Sequence, residues 1–108
     1  MTTTEAITEA QRQLGDVGGT RWPATVLLVY LNEGRKKLRG EFPDAFCVTR
    51  IVTGPITDLA ADITLDISND WTESLVSYMC GKAMMEDSED AANMAKAQYW
   101  LKRTGWTL

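Results

Sequence analysis

Between Pro23 and Arg39 the apolar residues Ala24, Leu27, Leu28, Leu31 and Leu38 recur at steps of three and four. That spacing puts them on one face of an α-helix, and a helix with a single apolar stripe must bury it against something. Pro23 loses no backbone donor in a first turn, so it is predicted to open this helix, and Gly40 and Pro43 to end it. Gly34 lies in its interior, where it costs about 1 kcal/mol against Ala; its presence predicts a neighbour packed against that point.

Three further segments can cover the stripe. Thr4 to Leu14 carries Ile7, Ala10 and Leu14 at helical spacing, with Gly15 as a stop. The run Asp16-Val17-Gly18-Gly19-Thr20 then predicts a flexible joint. Trp71, Leu75, Tyr78, Met79 and Ala83 predict a third helix from about Trp71 to Met85, capped by Asn69 or Asp70. After Glu86-Asp87-Ser88-Glu89-Asp90, with Asp87 or Ser88 as cap, a fourth helix is predicted with Ala91, Ala92, Ala95, Tyr99 and Lys102 on its packed side. Its small residues predict a close antiparallel pairing with the third helix through a short turn.

The stretch from Phe46 to Ile67 differs in character. Phe46, Val48, Ile51 and Val52 favour extended backbone, Gly54-Pro55 marks a turn, and Ile63-Thr64-Leu65-Asp66-Ile67 alternates with period two. The expectation is a mainly α chain: a small bundle of about four helices with a β-hairpin or extended-loop insert between helices two and three. One domain covers residues 1–108, with an N-terminal helix and joint at 1–20, the insert at 46–67 and a C-terminal tail at 103–108.

Composition narrows the function classes. The chain of 108 residues is 44% hydrophobic and 24% charged, a globular balance. Fifteen acidic against eleven basic residues leave a charge of −4, opposite to what grips nucleic-acid phosphates. The basic cluster Arg35, Lys36, Lys37 and Arg39 reads as a solvated helix face. The polar N-terminus predicts no signal peptide, and no apolar run approaches the roughly 20 residues of a membrane span.

Catalytic signatures are missing from the sequence. There is no His, and none of the Gly-x-Ser-x-Gly, phosphate-loop, Gly-x-Gly-x-x-Gly or Asp-x-Asp-x-Asp patterns occurs. Cys47 and Cys80 lack companions for a metal site and read as small buried hydrophobes. The expectation is no enzyme activity, no catalytic residue, no metal and no cofactor.

Three segments in order carry a resemblance: Tyr30-Leu31-Asn32-Glu33-Gly34, then Leu75-Val76-Ser77-Tyr78, then Asp87-Ser88-Glu89-Asp90-Ala91-Ala92-Asn93-Met94-Ala95 with Tyr99 beyond. Separated by a β-prone insert, this order resembles the head–tail connector or adaptor proteins of tailed bacteriophages, over about Trp22 to Trp100. The resemblance implies a structural virion protein of the neck, assembled in the host bacterial cytoplasm. Its partners would be copies of itself in a ring, twelve-fold if it follows the portal, the portal protein, and a tail, stopper or tail-terminator protein. DNA would pass through the lumen without specific binding, and no membrane would be involved.

Residues expected to face partners are Ile51, Val52, Ile56 and Leu59 of the insert, too apolar for a solvated loop, and Arg103, Trp106 and Leu108 of the tail. Trp106 has two readings, an anchor on a neighbouring ring or a side chain folded back onto Trp22 or Trp71. The alternative function is a small cytosolic helix-turn-helix regulatory or DNA-binding module. Against it, the recognition helix would begin Glu89-Asp90 and hold no Arg before Arg103.

Overall fold

A computed structural model describes residues 1–42, 58–60, 62–86 and 91–106. Four helices follow in chain order: α1 at Thr3–Gln13, α2 at Ala24–Glu41, α3 at Asn69–Glu86 and α4 at Ala91–Arg103. The small helical bundle expected from the apolar spacing is what forms.

Helix α1 starts with a capping box. The Thr2 hydroxyl accepts from Glu5 N at 3.1 Å and the Glu5 carboxylate accepts from Thr2 N at 3.1 Å, satisfying two amides left open by the first turn. Ala6, Ile7 and Ala10 face inward. The predicted joint is a hydrogen-bonded turn: the Asp16 carboxylate accepts from the backbone N–H groups of Thr20, Arg21 and Trp22 at 2.8–3.2 Å. Gly19 closes it with φ +67, a conformation that costs a residue with a Cβ. Pro23 is the N-cap of α2, with ψ 157, and the helix passes through Gly40 to Glu41.

The core lies where α3 meets the other helices. Leu27, Leu31 and Leu38 of α2 pack with Leu75, Met79 and Ala83 of α3, all fully buried. A Cβ on Gly34 would sit 2.7 Å from both Leu75 Cδ1 and Tyr78 Cδ1, so the interior glycine lets α2 and α3 approach. Gly81 does the same for α4, because a Cβ there would meet Leu101 at 2.7 Å. The pairs Glu73 with Arg103 and Gly81 with Leu101 run in opposite senses, so α3 and α4 are antiparallel as expected.

Several expectations are corrected. Helix α4 packs through Ala97 and Leu101; Ala95, Tyr99 and Lys102 are exposed, Tyr99 at 57%. The cap of α3 is Ser68, whose hydroxyl accepts from Asp70 N at 3.4 Å. The first part of the β-prone insert, residues 43–57, lies outside the described residues. Its last part does not join a hairpin among them: Thr64 forms an isolated antiparallel bridge with Thr2, and Thr3 N and Leu65 N donate to Ile63 O and Met1 O. The period-two alternation holds over 64–67, where Leu65 and Ile67 are buried and Thr64 is exposed, but not at Ile63, which is exposed.

The basic cluster on α2 is not uniformly solvated. Arg35 is 1% exposed and donates through Nε and Nη2 to the two carboxylate oxygens of Asp66, at 3.0 and 2.6 Å. Its Nη1 donates to Asn32 Oδ1 at 2.8 Å. Asn32, expected on a solvated face, is also buried: its Oδ1 accepts from Leu59 N at 2.8 Å, and its Nδ2 donates to Leu59 O and Leu28 O at 3.1 and 3.2 Å. A side-chain amide thus takes both backbone groups of Leu59, as a neighbouring strand would.

Candidate functional site

The exposed side of α4 and the tail beyond it carry the features most suited to contact with another molecule. Two hollows flank this helix. The first, about 560 Å³, lies between α1, α3 and α4 and is lined by Glu9, Arg12, Glu73, Trp100 and Arg103 among others. Its charges are matched within the chain. Arg12 pairs with Glu9, whose carboxyl is held down to about 2 by hydrogen bonds from Arg12 and then Gln13. Arg103 pairs with Glu73 at 3.4 Å and lies over the Trp100 and Tyr99 rings, 5.2 and 5.7 Å from their centroids.

The second hollow, about 270 Å³, lies between the end of α3, α4 and the tail. Met85, Met94, Ala97, Leu101 and Trp106 form its walls, with Gln98 and Lys102 beside them. Methionines suit such a surface because their unbranched, polarisable side chains adapt to different partners. Lys102 has no ion pair among the described residues and adds a positive charge beside the apolar walls.

The tail is folded by specific bonds. Gly105 has φ +73, Thr104 Oγ1 donates to Leu101 O at 2.7 Å, and Trp106 N donates to Thr104 Oγ1 at 3.1 Å. This turn lays Trp106 on Tyr78, with ring centroids 5.4 Å apart and planes at 27°, and leaves it 7% exposed. Trp106 therefore folds back, as one of its two readings held, but onto Tyr78 and not onto Trp22 or Trp71. Trp22 donates instead to Ala83 O at 3.3 Å, and Trp71 packs on Phe42 at 4.9 Å. Tyr78 Oη and Trp106 Nε1 are both buried without a hydrogen-bond partner among the described residues.

Of the other expected interface residues, Arg103 is exposed on α4, and Leu59 is half-buried against the core with its backbone held by Asn32. Ile51, Val52, Ile56 and Leu108 lie outside the described residues, as does Cys47. Sequence reasoning missed the N-terminal threonines. Thr3 is buried, donating to Ala60 O at 3.0 Å and accepting from Ile63 N at 3.2 Å, and Thr4 donates to Asp62 Oδ1 at 2.6 Å. The Thr2-x-x-Glu5 pattern of the cap was the available signal.

Chemically, the described surface is suited to binding. Cys80 is buried, its thiol directed at Ala10 O at 3.7 Å, and burial pushes its pKa up to about 12, so it fills space as a protonated thiol. Among the described residues no group of three or more His, Cys, Asp or Glu is placed to hold a metal ion, and no helix is long and apolar enough to cross a membrane. Comparison with protein-family models, with curated proteins and with solved structures finds no match.

Proposed function

We propose that this chain is a structural adaptor subunit of the head–tail connector type, acting through protein surfaces as part of a ring between portal and tail. The observation that supports this reading best is the meeting of two of the segments behind the resemblance. Gly34, closing the first, lies against Leu75 and Tyr78 of the second, so both belong to one α2–α3 seam. The surface of α4 adds to it, with exposed Tyr99 and Met94 beside Arg103 and Lys102, since aromatic, Met and Arg side chains are enriched where proteins bind one another. In the ring, the excess of acidic residues would suit a lumen along which DNA moves without adhering.

The test is assembly with a portal. The purified chain is mixed with isolated portal rings of a tailed phage that encodes it, and the product is imaged by negative stain and weighed by native mass spectrometry. The expected result is an added layer of density on the portal, with a mass increment of several chains. Portal rings that keep their own mass at saturating chain overturn the reading.

A further inference from the structure

We propose that copies of this chain join head to tail, the exposed face of α4 on one copy docking on the α2–α3 flank around Val29, Glu33 and Glu86 of the next. The contact rests on the ring reading above and supplies the lateral joint that such a ring needs.

The inference starts from the charge of α4. Residues 91–103 hold Lys96, Lys102 and Arg103 and no acidic residue, in a chain with fifteen acidic residues against eleven basic ones. All three cations are exposed, as are Tyr99 and Met94. Lys96, Tyr99 and Arg103 stand three and four residues apart and so share one row of the helix, away from the Ala97 and Leu101 side that packs on α3. The helix thus turns outward a face that is positive and partly apolar.

The opposite character lies on the α2 side of α3. Exposed Val29 stands one turn before Glu33, and Glu86 comes to the same place from the end of α3, because Lys82 lies 4.0 Å from Glu33 and 3.7 Å from Glu86. One ammonium between two carboxylates leaves a surplus of negative charge. Tyr30 registers it: desolvation raises its pKa, and Glu86 and Glu33 raise it further. The nearby Lys36 is matched by Asp58 at 2.8 Å. Lys37 lies a turn further from Glu86, since α2 and α3 run in opposite senses, Glu33 beside Lys82 and Phe42 beside Trp71. The two surfaces also sit on different faces of α3, for Gly34 meets Leu75 and Tyr78 whereas Leu101 meets Gly81. Complementary patches on different faces of one chain make a heterologous contact, which closes into a ring when the rotation between copies divides the circle. A second copy is the occupant because the chain carries both halves of the pattern. A nucleic acid would gain only three cations on α4 and meet a chain of net charge −4.

The experiment uses the full chain in sedimentation equilibrium, up to about 1 mM protein to capture weak association. Salt is set at about 0.1 M, where a Debye length of about 10 Å screens the overall repulsion between acidic chains but not a pair in contact. Because a head-to-tail contact leaves a free surface at each end, wild type is expected to pass beyond twice its 12.0 kDa mass, and to dissociate toward 1 M salt. Two variants reverse one surface each: Lys96→Glu with Lys102→Glu on α4, and Glu33→Lys with Glu86→Lys on the flank. Each is expected to weaken association about tenfold or more, because it sets like charges opposite one another. None of the four positions is buried, and circular dichroism should report unchanged folds. Mixed in equal amounts, the two variants should associate again, since the reversed α4 of one then faces the reversed flank of the other. A wild type that stays at 12.0 kDa, association that stops at a dimer, variants without effect, or a mixture that fails to recover each overturns the proposal. The portal test is read separately: a layer on the portal that forms equally well with either reversed variant overturns this contact and spares the adaptor reading.

Discussion

The Arg35 guanidinium and the Tyr78–Trp106 ring pair are both sealed inside the bundle, but their polar atoms fare differently. Arg35 reaches Asp66 twice and Asn32 once, and Asn32 in turn takes the backbone of Leu59. Tyr78 Oη and Trp106 Nε1 reach no partner among the described residues. Burying a charge is costly unless it is paired and hydrogen-bonded, so the first cluster fixes the 59–66 segment on α2 and is intolerant of losing one member. The second is held by the area and stacking of two rings, and its polar atoms subtract from that gain. The first cluster is thus specified by directional side-chain bonds, and the second chiefly by contact between rings, with the Thr104 hydroxyl holding the turn that carries Trp106.

The sharpest way to break this contrast is to remove one partner of the satisfied cluster. Asp66→Ala strands a buried guanidinium, and loss of one member of a buried pair commonly costs about 3–5 kcal/mol. Asp66 is itself 31% exposed, so water compensates in part and about 3 kcal/mol is expected. For a domain of this size that lowers Tm by about 15 °C in a thermal melt. Replacing both members, Arg35→Met with Asp66→Leu, should cost less than Asp66→Ala alone, because no charge is left unpaired. A Tm for Asp66→Ala within a degree or two of wild type would show that the guanidinium finds water and that the network does not hold the segment.

At the other cluster, Trp106→Ala removes a large buried ring. Such truncations cost about 3–5 kcal/mol in a core, but here the loss also frees an unsatisfied donor, so about 2 kcal/mol and a Tm drop of about 10 °C are expected. A melt unchanged from wild type would mean that the ring is not held on Tyr78. The tail would then be available to a neighbouring ring, the other reading its sequence allows.

The difference between the clusters also explains what the sequence made legible. Apolar residues at steps of three and four report one buried face, so the four helices and the Gly34 contact were readable without coordinates. Lys102 misled because it continues the i, i+4, i+7 row of Ala95 and Tyr99, whereas small Ala97 and Leu101 form the side that meets Gly81. Arg35 was unreadable for another reason. Its burial depends on Asp66, 31 residues away, and no local pattern announces a pair at that distance. The same holds for Thr3, whose partners are Ala60 and Ile63. The tail was half legible: folding back was one of the two readings of Trp106, but the choice of Tyr78 as the surface beneath it is made by packing. Of the expected interface, only Leu59, Arg103 and Trp106 fall among the described residues, and Leu59 and Trp106 contribute to the chain's own fold.

The smallest expected effect tests the unsatisfied hydroxyl itself. Tyr78→Phe keeps the ring that stacks on Trp106 and removes an Oη with no partner among the described residues, so at neutral pH the variant should match wild type or gain up to about 1 kcal/mol in urea unfolding. The two chains should separate in alkali. Burial, and then the charge of Glu33, push the Tyr78 pKa from 10.0 up to about 12, so the folded chain keeps a proton that the unfolded chain releases above pH 10. With the folded value raised, this contribution is fully present below pH 10 and is lost as pH climbs toward 12. Cys80, raised from 9.0 to about 12, adds a loss of the same sign in both chains. Wild type should therefore lose stability more steeply than Tyr78→Phe between pH 10 and 12, while both share the decline that begins near pH 9. A neutral-pH loss of about 1 kcal/mol or more, the net worth of one hydrogen bond, would mean that the hydroxyl does find a partner. The contrast between the two clusters would then fail at its weaker half.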